Sequence, residues 1–129
     1  MPTLAGKLGI RDSTRTLVVG PAPAAIVAVL FDPHRRPGRD PYDVIVAFCP
    51  DRRALDRHAA SLPDRLTVAG GLWLLWSKRA SGVTTDIGEA DVRATGLATG
   101  LVDVKIAAID DIWSGLRFVR RLADRQPAP

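Results

Sequence analysis

Three short runs of almost unbroken apolar residues constrain this chain more than any other feature: Thr16-Leu-Val-Val19, Asp43-Val-Ile-Val-Ala-Phe48 and Leu72-Trp-Leu-Leu-Trp76. Each is short for a helix and shows no apolar/polar alternation, so each reads as a strand covered on both faces, the condition of a central strand in a parallel sheet. Turn chemistry bounds them: Gly20-Pro21 after the first, Cys49-Pro50 after the second, Gly70-Gly71 before the third. Parallel neighbours need a crossover of a dozen or more residues, usually a helix.

The intervening segments supply such crossovers. Ala22 to Phe31 is ambiguous on propensity, because Ile26, Val27 and Val29 favour strand while the alanines favour helix; connectivity favours helix. Asp32 to Pro41 is a proline-rich charged loop. After the second strand, Asp51 is placed as an N-cap. Ala54, Leu55, Ala59 and Leu62 then share a helical face, and Pro63 marks the stop. The loop Ser77 to Thr84 leads to Asp86 and Glu89, spaced as the ends of a capping box, with an apolar stripe of Ile87, Ala90, Ala94 and Leu97 and a helix end at Gly96. Leu101 to Ile109 is a fourth strand, Asp110 to Gly115 a turn, and Leu116 to Arg121 a fifth strand. The turn is short enough for a hairpin, so the fifth strand runs antiparallel and is expected between the third and fourth.

These elements make one α/β domain over residues 1–125, with helices on both faces of a sheet of about five strands and a disordered tail over 126–129. A chain of 129 residues with 47% hydrophobic and 25% charged residues fits a single ordinary core. The longest apolar run, Ala22 to Phe31, is broken by Pro23 and is about half a membrane span. The amino terminus shows no charged start followed by an apolar block and a cleavage site, so no secretory signal is expected. A single cysteine, Cys49, excludes an internal disulfide, and the expected location is cytoplasmic. The net charge of +4 raises the question of an acidic partner. Its cations are scattered among acids except Arg117, Arg120, Arg121 and Arg125, which favours a solvated surface over a nucleic-acid groove.

The stretches Gly71-Leu-Trp-Leu-Leu-Trp-Ser-Lys-Arg-Ala-Ser-Gly-Val-Thr-Thr-Asp86, Gly100-Leu-Val-Asp-Val-Lys-Ile-Ala-Ala-Ile-Asp110 and Trp113-Ser-Gly-Leu-Arg-Phe-Val-Arg120 resemble a bacterial family of short Rossmann-like proteins of unknown function, domain-of-unknown-function family 3052. More distantly, the segment from Asp43 onward resembles the carboxy-terminal half of class I S-adenosylmethionine-dependent methyltransferases, through the glycine turn Gly70-Gly71 and through Thr95-Gly-Leu97 with Leu101-Val-Asp-Val104. The resemblance implies a truncated, methyltransferase-like Rossmann fold and brings no activity. It also implies departures from that pattern. A glycine-rich turn after the first strand lets a cofactor approach the backbone, whereas Gly20-Pro-Ala-Pro23 keeps one glycine and loses two N–H donors to proline. No second strand with a ribose-holding acid fits before Asp43.

In open α/β sheets ligands bind beyond the carboxyl ends of the parallel strands. That edge is expected to gather Lys78, Ser81, Thr84, Asp110, Trp113 and Ser114, where a cation, hydroxyls and an aromatic face suit a phosphate or a nucleotide-like ring. The plainer reading makes Thr84 to Asp86 caps, Asp110 a turn residue and Trp113 a core anchor. Lys105, mid-strand beside Asp103, is either a buried base or, more simply, an edge-strand lysine that discourages aggregation. Neither His34 nor His58 is placed to activate Cys49, and no metal-ligand spacing exists. The leading reading is a non-catalytic interaction or regulatory module, with no catalytic residue, no cofactor and a protein partner or second copy as its target. The alternatives are a small-ligand, nucleotide or S-adenosyl-binding domain or a small transferase, and, third, nucleic-acid binding.

Overall fold

The computed structural model describes residues 3–125, so the tail expected over 126–129 lies outside the described residues. In chain order the elements are α1 (Leu4–Leu8), β1 (Thr16–Val19), α2 (Ala24–Val27), β2 (Tyr42–Phe48), α3 (Arg52–Ser61), β3 (Leu66–Ser77), α4 (Glu89–Ala98), β4 (Val102–Ala108) and β5 (Trp113–Val119). They form a five-stranded sheet in the order β1-β2-β3-β5-β4. β1, β2 and β3 pair in parallel, and β5 is antiparallel to both β3 and β4. The last strand is therefore inserted between the third and fourth: the hairpin sets it antiparallel beside β4, and its other edge pairs with β3. Four strands point one way and one points back.

The apolar runs are buried on both faces because helices cover both. One core layer joins Leu55 and Leu62 beside α4's Val92 to Ile45, Leu72, Leu74, Trp76, Leu116 and Phe118. The other joins Ala5, Leu8 and Ile26 to Val44, Val46, Phe48, Trp73, Leu75 and Trp113. Alternate residues of β3 thus feed opposite layers, as the period of two demands. Trp73, fully buried, donates its indole N–H to the Leu8 carbonyl at 3.1 Å and so seats α1 on the sheet.

Several boundaries differ from the sequence expectation for identifiable reasons. The crossover over 22–31 is helical for only four residues, and the chain leaves it through Phe31 and Asp32 at φ 61° and 55°. The third strand begins at Leu66, because Tyr42 pairs with Leu66 and the intervening residues bulge before Val44 meets Gly71. The fifth strand starts at Trp113, so the turn is tighter than 110–115. Asp86 is not the cap of α4. Gly88 is the N-cap, its N–H donates to Asp91 at 2.9 Å, and Asp86 instead accepts from the Arg52 N–H of α3 at 2.7 Å. The stripe of Ala90, Ala94 and Leu97 faces solvent; the buried face carries Val92 and Gly96. Gly96 is not a helix end but a contact point, since a Cβ there would lie 2.2 Å from the Phe118 ring. Arg52 fixes the same rotation by donating to Asp91 at 3.0 Å and Thr95 at 2.9 Å, one helical turn apart.

The two sheet edges are managed differently. Beside β1, His34 forms a one-residue parallel bridge: Val18 donates to the His34 carbonyl at 2.8 Å and His34 to Thr16 at 2.9 Å. Arg35 then donates to the Val18 and Gly20 carbonyls at 2.9 and 3.0 Å. One backbone residue and one guanidinium stand where a further strand would pair. The loop carrying them is pinned on the Tyr42 hydroxyl, which accepts from Gly38 N–H at 2.8 Å and shares a 2.7 Å hydrogen bond with His34 Nδ1. At the other edge, β4 carries a register shift between Asp103 and Lys105, and Lys105 is exposed, donating to the Lys7 carbonyl at 3.3 Å. A bulge and a lysine on an edge strand oppose pairing with other chains.

Candidate functional site

The carboxyl ends of β1, β2 and β3 share one rim of the sheet, but they differ in what they leave open. At the end of β1, Gly20 adopts φ +88°, and a Cβ there would lie 2.4 Å from the Phe48 carbonyl oxygen. Glycine is demanded at that position by the neighbouring strand. Pro21 and Pro23 lack N–H groups, and the Ala22 N–H is spent on the Gly20 carbonyl at 2.8 Å. The turn offers a ligand almost no donors.

At the end of β3 the chain opens a cavity of about 820 Å³. Its floor is the Trp76 side of β3 with Ser114 of β5, directly opposite in register, and its walls are the loop over 78–88 and the first turn of α4. The loop is held in place by local bonds. Lys78 N–H donates to the Ile112 carbonyl at 2.7 Å, the Ser81 hydroxyl donates to the Lys78 carbonyl at 2.6 Å and accepts from Val83 N–H at 3.2 Å, and the Thr85 hydroxyl donates to Pro50 at 3.0 Å. Asp86, by accepting from Arg52, ties the same wall to α3.

Of the six residues expected to converge, Lys78, Thr84 and Ser114 line this cavity. The Lys78 ammonium donates to the Asp110 carbonyl at 2.6 Å, so it is already directed across the β3–β5 rim. Ser81 acts one step back, bracing the loop. The Asp110 carboxylate accepts from Ile112 N–H at 2.9 Å and Trp113 N–H at 2.7 Å and so shapes the hairpin turn. Trp113 is buried on the opposite face, edge-on to Phe48 with ring centroids 5.0 Å apart. It is the core anchor of the plainer reading. Sequence reasoning missed Trp76 and the first turn of α4. The signal was present in part: the expected antiparallel pairing of the third and fifth strands brings Trp76 and Ser114 opposite each other on one face.

The acids around the cavity are engaged. Glu89 pairs with Arg93 at 2.9 Å, Asp91 accepts from Arg52 and from Gly88 N–H, and Asp86 accepts from the Arg52 N–H at the start of α3. Cys49, at the end of β2, is buried, and burial pushes its thiol up to about 12, against a lowering hydrogen bond from Leu75. It is protonated and unreactive at neutral pH. Among the described residues no three His, Cys, Asp or Glu side chains are grouped to hold a metal ion, and no helix is long and apolar enough to cross a membrane.

No protein-family model and no curated protein matches the chain. Solved structures of similar fold do. The chain is similar to a methyltransferase described as putative from Thermoplasma acidophilum, with TM-score 0.58 and 10% identity over 88% of this chain and 70% of that one. It is similar to magnesium protoporphyrin IX methyltransferase from Synechocystis PCC 6803 with bound S-adenosylmethionine, TM-score 0.55 and 12% identity, covering 84% and 70%. Fibrillarin from Aeropyrum pernix, solved with natively bound S-adenosylmethionine, superposes with TM-score 0.56 and 14% identity, covering 90% and 73%. The fold is thus the methyltransferase-like Rossmann fold. The expectation of no cofactor is overturned, because structures sharing this fold hold an S-adenosyl ligand.

Proposed function

We propose that this chain is a Rossmann-like domain that binds an S-adenosyl-type small molecule in the cavity at the end of β3, and that it works as a regulatory or interaction module rather than as a transferase. The cavity carries this reading. Its volume of about 820 Å³ is in the range of small-molecule sites, and it sits on the sheet rim where this class of fold receives ligands. Its lining suits the parts of such a molecule: an indole for the purine, the Thr84 and Ser114 hydroxyls for the ribose, and the Lys78 ammonium for the amino-acid carboxylate. The β1 turn does not fit the ligand in the usual pose, since its glycine is filled by the Phe48 carbonyl and its prolines remove the donors. Against transfer chemistry stands the engagement of each wall acid by a guanidinium or a backbone N–H, which leaves no free carboxylate poised as a base.

Titration calorimetry with S-adenosylhomocysteine and S-adenosylmethionine tests the reading. Saturable binding that weakens in Lys78→Ala and is blocked by Ser114→Trp is expected. Absence of binding, or binding insensitive to both changes and lost only on altering the β1 turn, refutes it. Membership of the short bacterial family of unknown function, and a cytosolic setting suited to one reduced, buried cysteine, are part of the same proposal.

A further inference from the structure

The opposite face and opposite end of the sheet carry a second cavity, independent of the S-adenosyl reading. Arg117 lies near the end of β5, and its side chain runs across the sheet surface over Gly71 of β3. A Cβ on Gly71 would lie 2.4 Å from Arg117 Nε, so that glycine is the track on which the guanidinium rests. The guanidinium then borders a cavity of about 560 Å³ beside α1, together with Gly9, Arg11, Ser13, Thr14 and Asp43.

Arg117 Nε is buried against Gly71 and donates to nothing among the described residues, while the side chain as a whole is half-buried and borders the cavity. A buried, unpaired guanidinium nitrogen is costly, and natural structures seldom keep one without a purpose. Asp43 is the one carboxylate on this lining. It does not pair with Arg117; it accepts from Arg15 N–H at 3.0 Å and from the Thr67 hydroxyl at 3.5 Å. Across from it, the turn over 11–14 is closed by Arg11 N–H donating to the Thr14 hydroxyl at 2.9 Å, which sets Arg11, Ser13 and Thr14 on one rim. Lys105, opposite Arg117 in the β4–β5 register, adds a further positive charge on this side of the sheet.

We propose that this cavity is a phosphate site, with the Arg117 fork as its principal donor and Arg11, Ser13 and Thr14 as supporting ones. A planar guanidinium presents parallel N–H donors that match two oxygens of a phosphate, and a phosphate oxygen would give the buried donor the partner it lacks. The phosphate belongs either to the free ion or to a phosphorylated small molecule.

The test uses the whole chain, inorganic phosphate and adenosine monophosphate as probes, and acetate as a control. Saturable binding of phosphate is expected, with little response to acetate, and Arg117→Met is expected to lower the affinity at least about tenfold, the size of a lost charged hydrogen bond. Arg11→Ala lowers it severalfold. Without phosphate, Arg117→Met is expected to be at least as stable as the parent, because it removes an unsatisfied buried donor, whereas a merely structural arginine would leave a deficit. Tighter binding of the monophosphate than of the ion assigns the site to a phosphorylated molecule, and equal binding assigns it to the ion. If Arg117→Met does not fold, Arg117→Lys keeps the charge without the fork and is expected to weaken phosphate severalfold. No saturation, or equal phosphate affinity in the parent and the Arg117 variant, overturns the proposal. The S-adenosyl reading is unaffected either way, since S-adenosylhomocysteine carries no phosphate.

Discussion

The ends of β1 and β3 lie on the same rim of the same sheet, yet one is closed and the other is open. After β1 the chain turns at once through Gly20-Pro-Ala-Pro23 into a four-residue helix, and Arg35 reaches back to bond the Val18 and Gly20 carbonyls. After β3 the chain makes a loop of about ten residues before α4, braced at Lys78, Ser81 and Thr85, and the space beneath it is the cavity. A shared rim therefore nominates several sites, and the connection after each strand decides which of them a ligand can enter. The closure of the β1 end is itself tied to the shortened sheet, because the residues that close it also satisfy the edge where another strand would pair.

The contrast makes its largest prediction at Gly20. A methyl group there meets the Phe48 carbonyl, and φ +88° is a region that side chains rarely adopt, so Gly20→Ala is expected to cost at least about 3 kcal/mol in urea unfolding. A loss below about 1 kcal/mol would show that the β1 end has room after all. Next comes Lys78. Lys78→Ala is expected to weaken an S-adenosyl ligand by about 1.5–3 kcal/mol while changing stability by less than about 0.5 kcal/mol, as calorimetry and unfolding measured side by side would show. A stability loss as large as the binding loss would recast Lys78 as a brace for the 110–112 turn. Third is Asp86, where Asp86→Ala removes the acceptor for Arg52 N–H at the start of α3 and is expected to cost about 1 kcal/mol. Faster hydrogen exchange across residues 52–54 and 83–88 together would show that the cavity wall and α3 move as a unit.

The strands were legible because burial on both faces leaves an unmistakable composition, and the antiparallel direction of β5 followed from the length of one turn, while its place between β3 and β4 was what the methyltransferase-like resemblance implied. The N-cap at Asp51 was legible for the same local reason, its carboxylate accepting from Ala54 N–H at 2.8 Å. What stayed hidden depends on groups distant in sequence. The rotation of α4 is set by Phe118 beneath Gly96 and by Arg52 on Asp91 and Thr95, none of which the spacing of alanines records. Half of the expected site was legible, since Lys78, Thr84 and Ser114 do line one cavity. Trp113 was misplaced because β5 begins at Trp113 and not at Leu116: Trp113 and Ser114 are then successive strand residues on opposite faces, and only Ser114 meets the cavity. Asp86 was misassigned because the N–H it accepts, that of Arg52 in the first turn of α3, precedes it by more than thirty residues.

The smallest effect separates the open site from the helix that supports it. His58 lies on α3 at 8% exposure, its Nε2 has no partner among the described residues, and burial, with Arg57 nearby, lowers its pKa below the ordinary 6.5. The folded chain thus prefers the neutral imidazole, and the unfolded chain takes up the proton first as the pH falls. His58 contributes its full stability above about pH 6.5; that contribution is lost progressively as the pH drops from there through the lowered folded value. Unfolding measured between pH 8 and pH 5 should show the parent losing stability towards acid, with His58→Leu flatter over the same window. Ligand affinity should be equal in the two proteins at pH 8, since His58 does not line the cavity. An unaltered pH profile in His58→Leu would move the acid sensitivity elsewhere, and a matching loss of ligand binding would mean that α3 is part of the site and not only its support.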